Sequence, residues 1–414
     1  MNEFKNIGKS LMRVDGKEKI LGKAKYPGDL YMDGMLHGVT LRSTEAHAYF
    51  SLDLGEAKKL PGVVKILTHE DISGENSHGV YFKDQKVFCK NKVRRIGDPM
   101  AFIIAENKEM AMEAKKRIKV KYEKLPTVFD PREAMKEDSP KIHGESNIIY
   151  HYKCRKGNME EGFKKCHVIV ENEFKTSMVD HAFLQIESGL AYMEDGNIVV
   201  CAATQYPHFD QVEIAEALGI PKERVRIINP AVGGAFGGRE DITMQIHIAL
   251  GTFLTKRPIK VTYSREESFY AHSKRHPLYM KFKTGADEKG KLIAMEANIV
   301  GDTGAYASWA VNVLRKAGVH ATGPYEIPNV KIDSYAVYTN NPFCGAMRGF
   351  GATQIPIGCE QQMDILAEKL GMSPVEIRLK NCFVKNSITA TGQVFTESVP
   401  IKRCIEAVGE GLNL

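Results

Sequence analysis

The chain has 414 residues, 43% of them hydrophobic, with 57 basic and 51 acidic side chains and a formal net charge of +6. That length exceeds what one core usually holds, so two or three domains are expected. The mild basic excess is spread along the chain, without the basic block and aromatic ladder that mark nucleic-acid binding, and no apolar run approaches the length of a membrane span.

The opening MNEFKNIGKSLMRVDGKEK is polar and charged, with no apolar core for export. Cys89, Cys154, Cys166, Cys201, Cys344, Cys359, Cys382 and Cys404 form no C-x-x-C pair, so neither a zinc site nor an iron–sulfur run is visible. These features predict a soluble cytoplasmic protein with reduced thiols.

MLHGVTLRS (35–43) and PMAFIIAEN (99–107) read as strands. KEMAMEAKKRIKVKYEKLP (108–126) starts as a helix, with Met110, Ala114 and Ile118 on one face, and turns into an alternating strand. The Pro-rich, poorly periodic TVFDPREAMKEDSPKIHGESN that follows reads as a linker, placing a domain boundary near 126–150. CHVIVENEFKTS and NIVVCAATQ alternate like strands, and HFDQVEIAEALGI is an amphipathic helix closed by Gly219. RVRIINP is a short strand feeding directly into VGGAFGGRED (232–241).

EDITMQIHIALGTFLTK then reads as a helix, with Glu240 and Asp241 at the positive end of its dipole. PIKVTYSREES (258–268), KLIAMEANIVGDTGAYAS (291–308) and NVKIDSYAVYTN (329–340) look like further strands. GCEQQMDILAEKLG is a helix ended by Gly371, and SPVEIRLKN opens with a capping box.

Glycine at the density of VGGAFGGRED suggests backbone passing close to a ligand. A P-loop would need Lys-Ser/Thr after Gly238, but Arg239 and Glu240 stand there. No G-x-G exists for a dinucleotide fingerprint. A second such turn, NNPFCGAMRGFGATQ (340–354), centres on Arg348-Gly349-Phe350-Gly351 and also runs from a strand to a helix. Two Gly-rich turns, each with an arginine and an aromatic expected to be buried, predict one site built from two loops. Gln205, in CAATQYPHFD, ends an apolar strand where an amide needs partners. His208 reads as a turn residue rather than a metal ligand.

Nine segments carry a family resemblance. They are RVDGKEKILGKAKYPGDL (13–30), VRRIGDPMAFIIAE (93–106), HAFLQIESGLAY (181–192), ATQYPH (203–208), GGAFGGRED (233–241), SREES (264–268), KRHP (274–277), GDTGAYAS (301–308) and GAMRGFGATQ (345–354). In this order they resemble the molybdopterin-binding subunits of the xanthine dehydrogenase and aldehyde oxidase family, the molybdenum hydroxylases. The resemblance covers nearly the whole chain. It implies an α+β fold: an α/β hammerhead domain (1–126), a linker (127–149) and the first molybdopterin-binding domain (150–414).

It also implies site roles. Gln205 matches the glutamine facing the metal's apical oxo group, and Phe236 and Gly237 match the turn packed against the metal centre. Arg348 matches the arginine beside pterin and metal, so Gln205, Phe236 and Arg348 are the residues expected nearest the metal. Gly234, Ala235, Ala346 and Gly349 join them as expected cofactor-binding residues. Glu240 matches a substrate-facing glutamate of purine-oxidising members, and of Arg315 and Lys316 the better register puts Lys316 where those members carry a purine-contacting arginine. A lysine lacks the planar fork of that arginine.

The family's general base, a glutamate near the end of a subunit of roughly twice this length, has no counterpart here. Glu410 in AVGEGLNL ends a helical stretch and is not that base. The resemblance therefore implies a split enzyme similar in layout to nicotinate dehydrogenase. A second molybdopterin-binding subunit would carry the catalytic glutamate, and separate subunits would carry 2Fe-2S clusters and FAD. The expected cofactor is Mo-molybdopterin in its cytosine dinucleotide form. The expected reaction is hydroxylation of a nitrogen heterocycle by water, of the purine/xanthine type. The alternatives are nicotinate hydroxylation, aldehyde oxidation and a non-catalytic scaffold.

Overall fold

The computed structural model describes residues 4–411. Three sheets organise them. The largest has seven strands in the order Val225–Ile228, Asn197–Ala202, Ser188–Glu194, Ile259–Thr262, Leu36–Arg42, Pro99–Ala105 and Val63–Leu67. The second has five: Ile148–Lys156, Asn329–Tyr338, Leu292–Gly304, Leu278–Ala286 and Val168–Lys175. A small third sheet joins Lys92–Val93, Ala48–Asp53 and Lys119–Lys124.

The seven-stranded sheet draws on both halves of the chain. Leu36–Arg42 runs parallel to Ile259–Thr262, with Leu36 opposite Ile259, and the Leu36 N–H donates to the Pro258 carbonyl at 2.7 Å. Leu36, Phe102 and Ile104 share one core with Val200, Ile248, Leu250 and Ile259. Burial of these apolar side chains drives the union, since each fully buried aliphatic contributes about 1.5–3 kcal/mol. Residues 127–149 are likewise packed down. A short helix, Pro131–Ala134, is capped by Asp130, Ile142 and Asn147 are buried, and the Val128 N–H donates to Asn340 Oδ1 at 2.9 Å.

Helices cover the sheets. Pro207–Leu218 begins with proline and ends on Gly219 in the left-handed conformation, as the missing proline N–H and glycine's freedom favour. It packs with Gln245–Thr255 on the seven-stranded sheet. Pro356–Leu370 and Ala310–Val319 cover the five-stranded sheet. Among the described residues no helix is long and apolar enough to cross a membrane, and all eight cysteines are unpaired.

Three expectations need correction. The helix after the glycine loop starts at Gln245, not near Glu240, because Asp241 is buried and held by Ser308. Glu240 and Asp241 therefore do not sit in its first turn. SREES is the start of a helix, Arg265–Ala271, capped by Ser264 accepting from the Glu267 N–H, so the strand ends at Thr262. Of the face expected on Lys108–Arg117, Ala114 and Ile118 are buried, but Met110 is 38% exposed and Ala111 takes its place; the small alanines allow close helix–sheet approach. The helix Ala310–Val319 has no side-chain cap at its start, and residue patterns miss it.

Candidate functional site

Three connections converge on one cleft. The first runs from the strand Val225–Ile228 to the helix Gln245–Thr255, the second from Asn329–Tyr338 to Pro356–Leu370, and the third from Asn197–Ala202 to Pro207–Leu218. Their residues line a cleft of about 520 Å³, which includes Gln205, Phe236, Gly237, Glu240, Ala346 and Arg348.

Each Gly-rich loop turns on a Phe-Gly pair in the left-handed region. Phe236 and Gly237 have φ of +53° and +104°, and Phe350 and Gly351 have +55° and +97°. A phenylalanine there is strained at a cost of about 1–3 kcal/mol, held only because its surroundings fix it. Phe236 was expected to be buried, yet 48% of it is exposed, because its ring forms cleft wall rather than core. Gly237 leaves no room for a side chain: a Cβ would lie 2.7 Å from the Ala346 oxygen and 2.9 Å from Met347 Cα. Backbone of the two loops thus meets directly, which glycine alone permits.

Hydrogen bonds fix that meeting. The Arg348 N–H donates to the Phe236 carbonyl at 2.7 Å. Gln205 Oε1 accepts the Gly237 N–H at 2.9 Å, and the Gln205 N–H donates to the Arg239 carbonyl at 2.9 Å. Gln205 Nε2 lies 3.4 Å from Glu240 Oε1, a long contact that leaves the amide available. Arg275 holds the second loop by donating to the Arg348 carbonyl and to Thr353 Oγ1, both at 2.8 Å. The Arg348 guanidinium is exposed and makes no hydrogen bond or ion pair with other described residues.

Electrostatics single out Glu240. It is half-buried, and desolvation, reinforced by neighbouring Asp241, raises its carboxyl to about 7. Asp241 is fully buried and also raised, chiefly by burial; Ser308 Oγ donates to it at 2.7 Å.

Not every expected residue lines the cleft. Gly234 and Ala235 shape the first turn without lining the cleft: the Gly234 carbonyl accepts from Arg239 Nε at 3.0 Å, and the Ala235 carbonyl from the Gly238 N–H at 2.9 Å. Gly349 does line it. Lys316 does not; the helix Ala310–Val319 instead presents Asn312, one turn earlier. His208 falls in the first turn of Pro207–Leu218.

Residue patterns missed the aromatic wall. Trp309, the chain's one tryptophan, packs 5.6 Å from the Tyr206 ring and 5.9 Å from Phe350, and all three line the cleft. Its rarity and its place directly after GDTGAYAS were the available signals. No cluster of three or more metal-ligating side chains occurs among the described residues.

This arrangement is that of a molybdopterin cofactor-binding domain, whose family model matches residues 142–382. The a/b hammerhead domain of aldehyde oxidase and xanthine dehydrogenase matches residues 21–126. The chain belongs to this family of molybdopterin-dependent oxidoreductases. It is 41% identical over 410 residues to the nicotinate dehydrogenase large molybdopterin subunit of Eubacterium barkeri, covering 99% of this chain and 96% of that one. It is 32% identical to the xanthine dehydrogenase molybdenum-binding subunit of Escherichia coli O157:H7, covering 89% of this chain but 51% of that one.

Among solved structures, aldehyde oxidoreductase from Desulfovibrio gigas superposes with a TM-score of 0.93 at 29% identity, covering 97% of this chain and 46% of that one. Quinoline 2-oxidoreductase from Pseudomonas putida 86 gives 0.92 at 27%, covering 99% and 55%. The chain therefore spans nearly all of the nicotinate dehydrogenase subunit and about half of these other relatives.

Proposed function

We propose that this chain is the molybdopterin-binding subunit of a split molybdenum hydroxylase that hydroxylates a nitrogen heterocycle with water. The residues present fit the cofactor. Gly237 lets the backbone of the two loops close together beside the cleft, Gln205 Nε2 is only weakly engaged, and the Arg348 guanidinium is free to form a planar, bidentate fork. Gln205, Phe236 and Arg348 would stand nearest the metal, with Gly234, Ala235, Gly237, Ala346 and Gly349 shaping the backbone around the pterin. The bound group supplies the redox chemistry; the protein positions, desolvates and moves protons.

Glu240 carries the substrate reading. A carboxyl poised near 7 can donate a hydrogen bond from its protonated Oε to a ring nitrogen, or accept one from a ring N–H when ionised. The aromatic wall of Tyr206, Trp309 and Phe350 suits a flat ring and limits water. That combination favours a purine. A second reading, a pyridine carboxylate, is favoured by the identity with the Eubacterium barkeri subunit along nearly its whole length; there the substrate carboxylate would face Arg348.

The partners proposed are a second molybdopterin-binding subunit bearing the general-base glutamate, an iron–sulfur subunit and an FAD subunit. The cofactor would be the cytosine dinucleotide form. Eight unpaired cysteines are compatible with the reducing cytoplasm. Turnover of hypoxanthine or xanthine and of nicotinate by the complex purified with its native partners tests the reading. Oxidation of either one chooses between the two substrates. Oxidation of neither, by a metal-loaded complex, overturns heterocycle hydroxylation.

A further inference from the structure

We propose that His181 is a positioning residue that sets the spacing of the two cofactor loops, and that segment 180–187 is a third structural wall beneath them. This rests on the functional reading above. The segment lies between the strands Val168–Lys175 and Ser188–Glu194 and touches both loops.

Against the first loop it is tied repeatedly. Gln185 Oε1 accepts the Gly233 N–H at 2.6 Å, and the Gln185 N–H donates to the Gly233 carbonyl at 3.2 Å. Arg239 turns away from the cleft: Nη2 donates to the Gln185 carbonyl at 2.6 Å, Nε to the Gly234 carbonyl at 3.0 Å, and the guanidinium lies 4.2 Å from the Phe183 ring centre. The glycine turn is thereby fastened from below.

His181 alone in this segment reaches both loops. Its Nε2 lies 2.8 Å from the Ala346 oxygen. A carbonyl only accepts, so Nε2 carries the proton and donates. The face of the same ring supports Gly238, where a Cβ would come within 2.9 Å of the imidazole. Gly237 meanwhile abuts the Ala346 carbonyl. One buried imidazole thus packs under the first loop while pulling the second onto it.

The segment behind His181 is fixed too. Asp180 pairs with Lys274 Nζ at 2.7 Å and accepts the Ala182 N–H at 2.7 Å. The Lys274 N–H donates to the Phe343 carbonyl, and the Gly345 N–H to the Lys274 carbonyl, which tethers the chain leading into Ala346. Ala182 has φ of +47°, a strained conformation that this bonding sustains.

Loss of the His181 donor frees Ala346, and with it Arg348, whose N–H is bonded to Phe236. The Arg348 guanidinium would then shift relative to Gly237 and Gln205. Such displacement lowers the rate of the chemical step more than it weakens substrate binding.

The test compares His181→Phe, which keeps a ring but removes the donor, with His181→Gln, which restores a side-chain N–H, in the complex purified with its native partners. Molybdenum and pterin content, kcat, KM and the molybdenum(V) EPR signal are measured. The expected result is wild-type cofactor content in both variants. In His181→Phe, kcat falls about tenfold or more while KM stays within about twofold, and the EPR signal is altered; His181→Gln recovers most of kcat. Wild-type kcat and EPR signal in His181→Phe overturn the proposal. So does equal loss of cofactor or of folding in both variants, which would make His181 purely structural. A wild-type complex lacking molybdenum would instead overturn the functional reading.

Discussion

The Arg348 N–H donates to the Phe236 carbonyl at 2.7 Å, so two loops distant in sequence form one continuous backbone surface. The contact exists because Gly237, next to Phe236, has no Cβ to strike Ala346 and Met347. Gly237→Ala is therefore expected to add about 1–3 kcal/mol of backbone strain at φ +104° and to push the loops apart. Cofactor content of the purified complex should drop severely while far-UV circular dichroism stays unchanged. Full molybdenum loading in this variant would contradict the need for that loop contact.

Asn312 and Lys316 make opposite predictions about the substrate wall. Asn312 lines the cleft, and Lys316 lies one turn further along the same helix. Asn312→Ala should raise KM several-fold, about 1 kcal/mol for a lost hydrogen bond. Lys316→Ala should leave kcat and KM within about twofold, because Lys316 does not line the cleft. Steady-state kinetics of the two variants decides the matter, and a larger KM effect at Lys316 would restore the assignment that the family resemblance implies.

Glu240 should govern a pH profile. Burial raises its carboxyl to about 7, so an ionisation near neutrality is expected in kcat/KM, and Glu240→Gln should abolish it. The variant should retain molybdenum and lose about tenfold or more in kcat/KM, the lower range of general acid–base effects. A profile identical to wild type would remove Glu240 from the chemistry.

Glu213 gives a stability counterpart away from the cleft. It accepts the Gly79 N–H at 3.0 Å, and burial raises its carboxyl from the ordinary 4.5 to about 8. Both folded and unfolded chains hold this proton at low pH; above 4.5 the unfolded chain releases it first. Stability from this group is therefore fully present below about pH 4.5 and is lost as pH rises to 8. Glu213→Gln keeps an acceptor for Gly79 and cannot ionise. It should stabilise the protein by about 1 kcal/mol or more at pH 8, one pKa unit being worth about 1.4 kcal/mol, with no gain at pH 4. Thermal unfolding at the two pH values measures this, and a gain independent of pH would assign it to packing.

Much of the site was legible from residue type and order. The glycines of VGGAFGGRED and the GAMRGFGATQ segment marked the loops, and apolar periodicity placed the strands and helices that present them. What escaped depended on contacts between distant residues. The pairing of Leu36 with Ile259 joins the two halves in one sheet, and no local pattern announces it. Asp241 looked like a helix-terminal acid until Ser308 was seen to hold it in the interior. Lys316 and Asn312 share a helix face four residues apart, so the family resemblance could not say which turn reaches the cleft. His181 shows no partner in sequence, because its acceptor is a backbone oxygen at Ala346.

The molybdenum and pterin content of this chain, in the complex purified with its native partners, tests the cofactor assignment. One molybdenum and one pterin per copy of the chain, retained through gel filtration, is the expected result. A folded, fully assembled complex containing neither would contradict it.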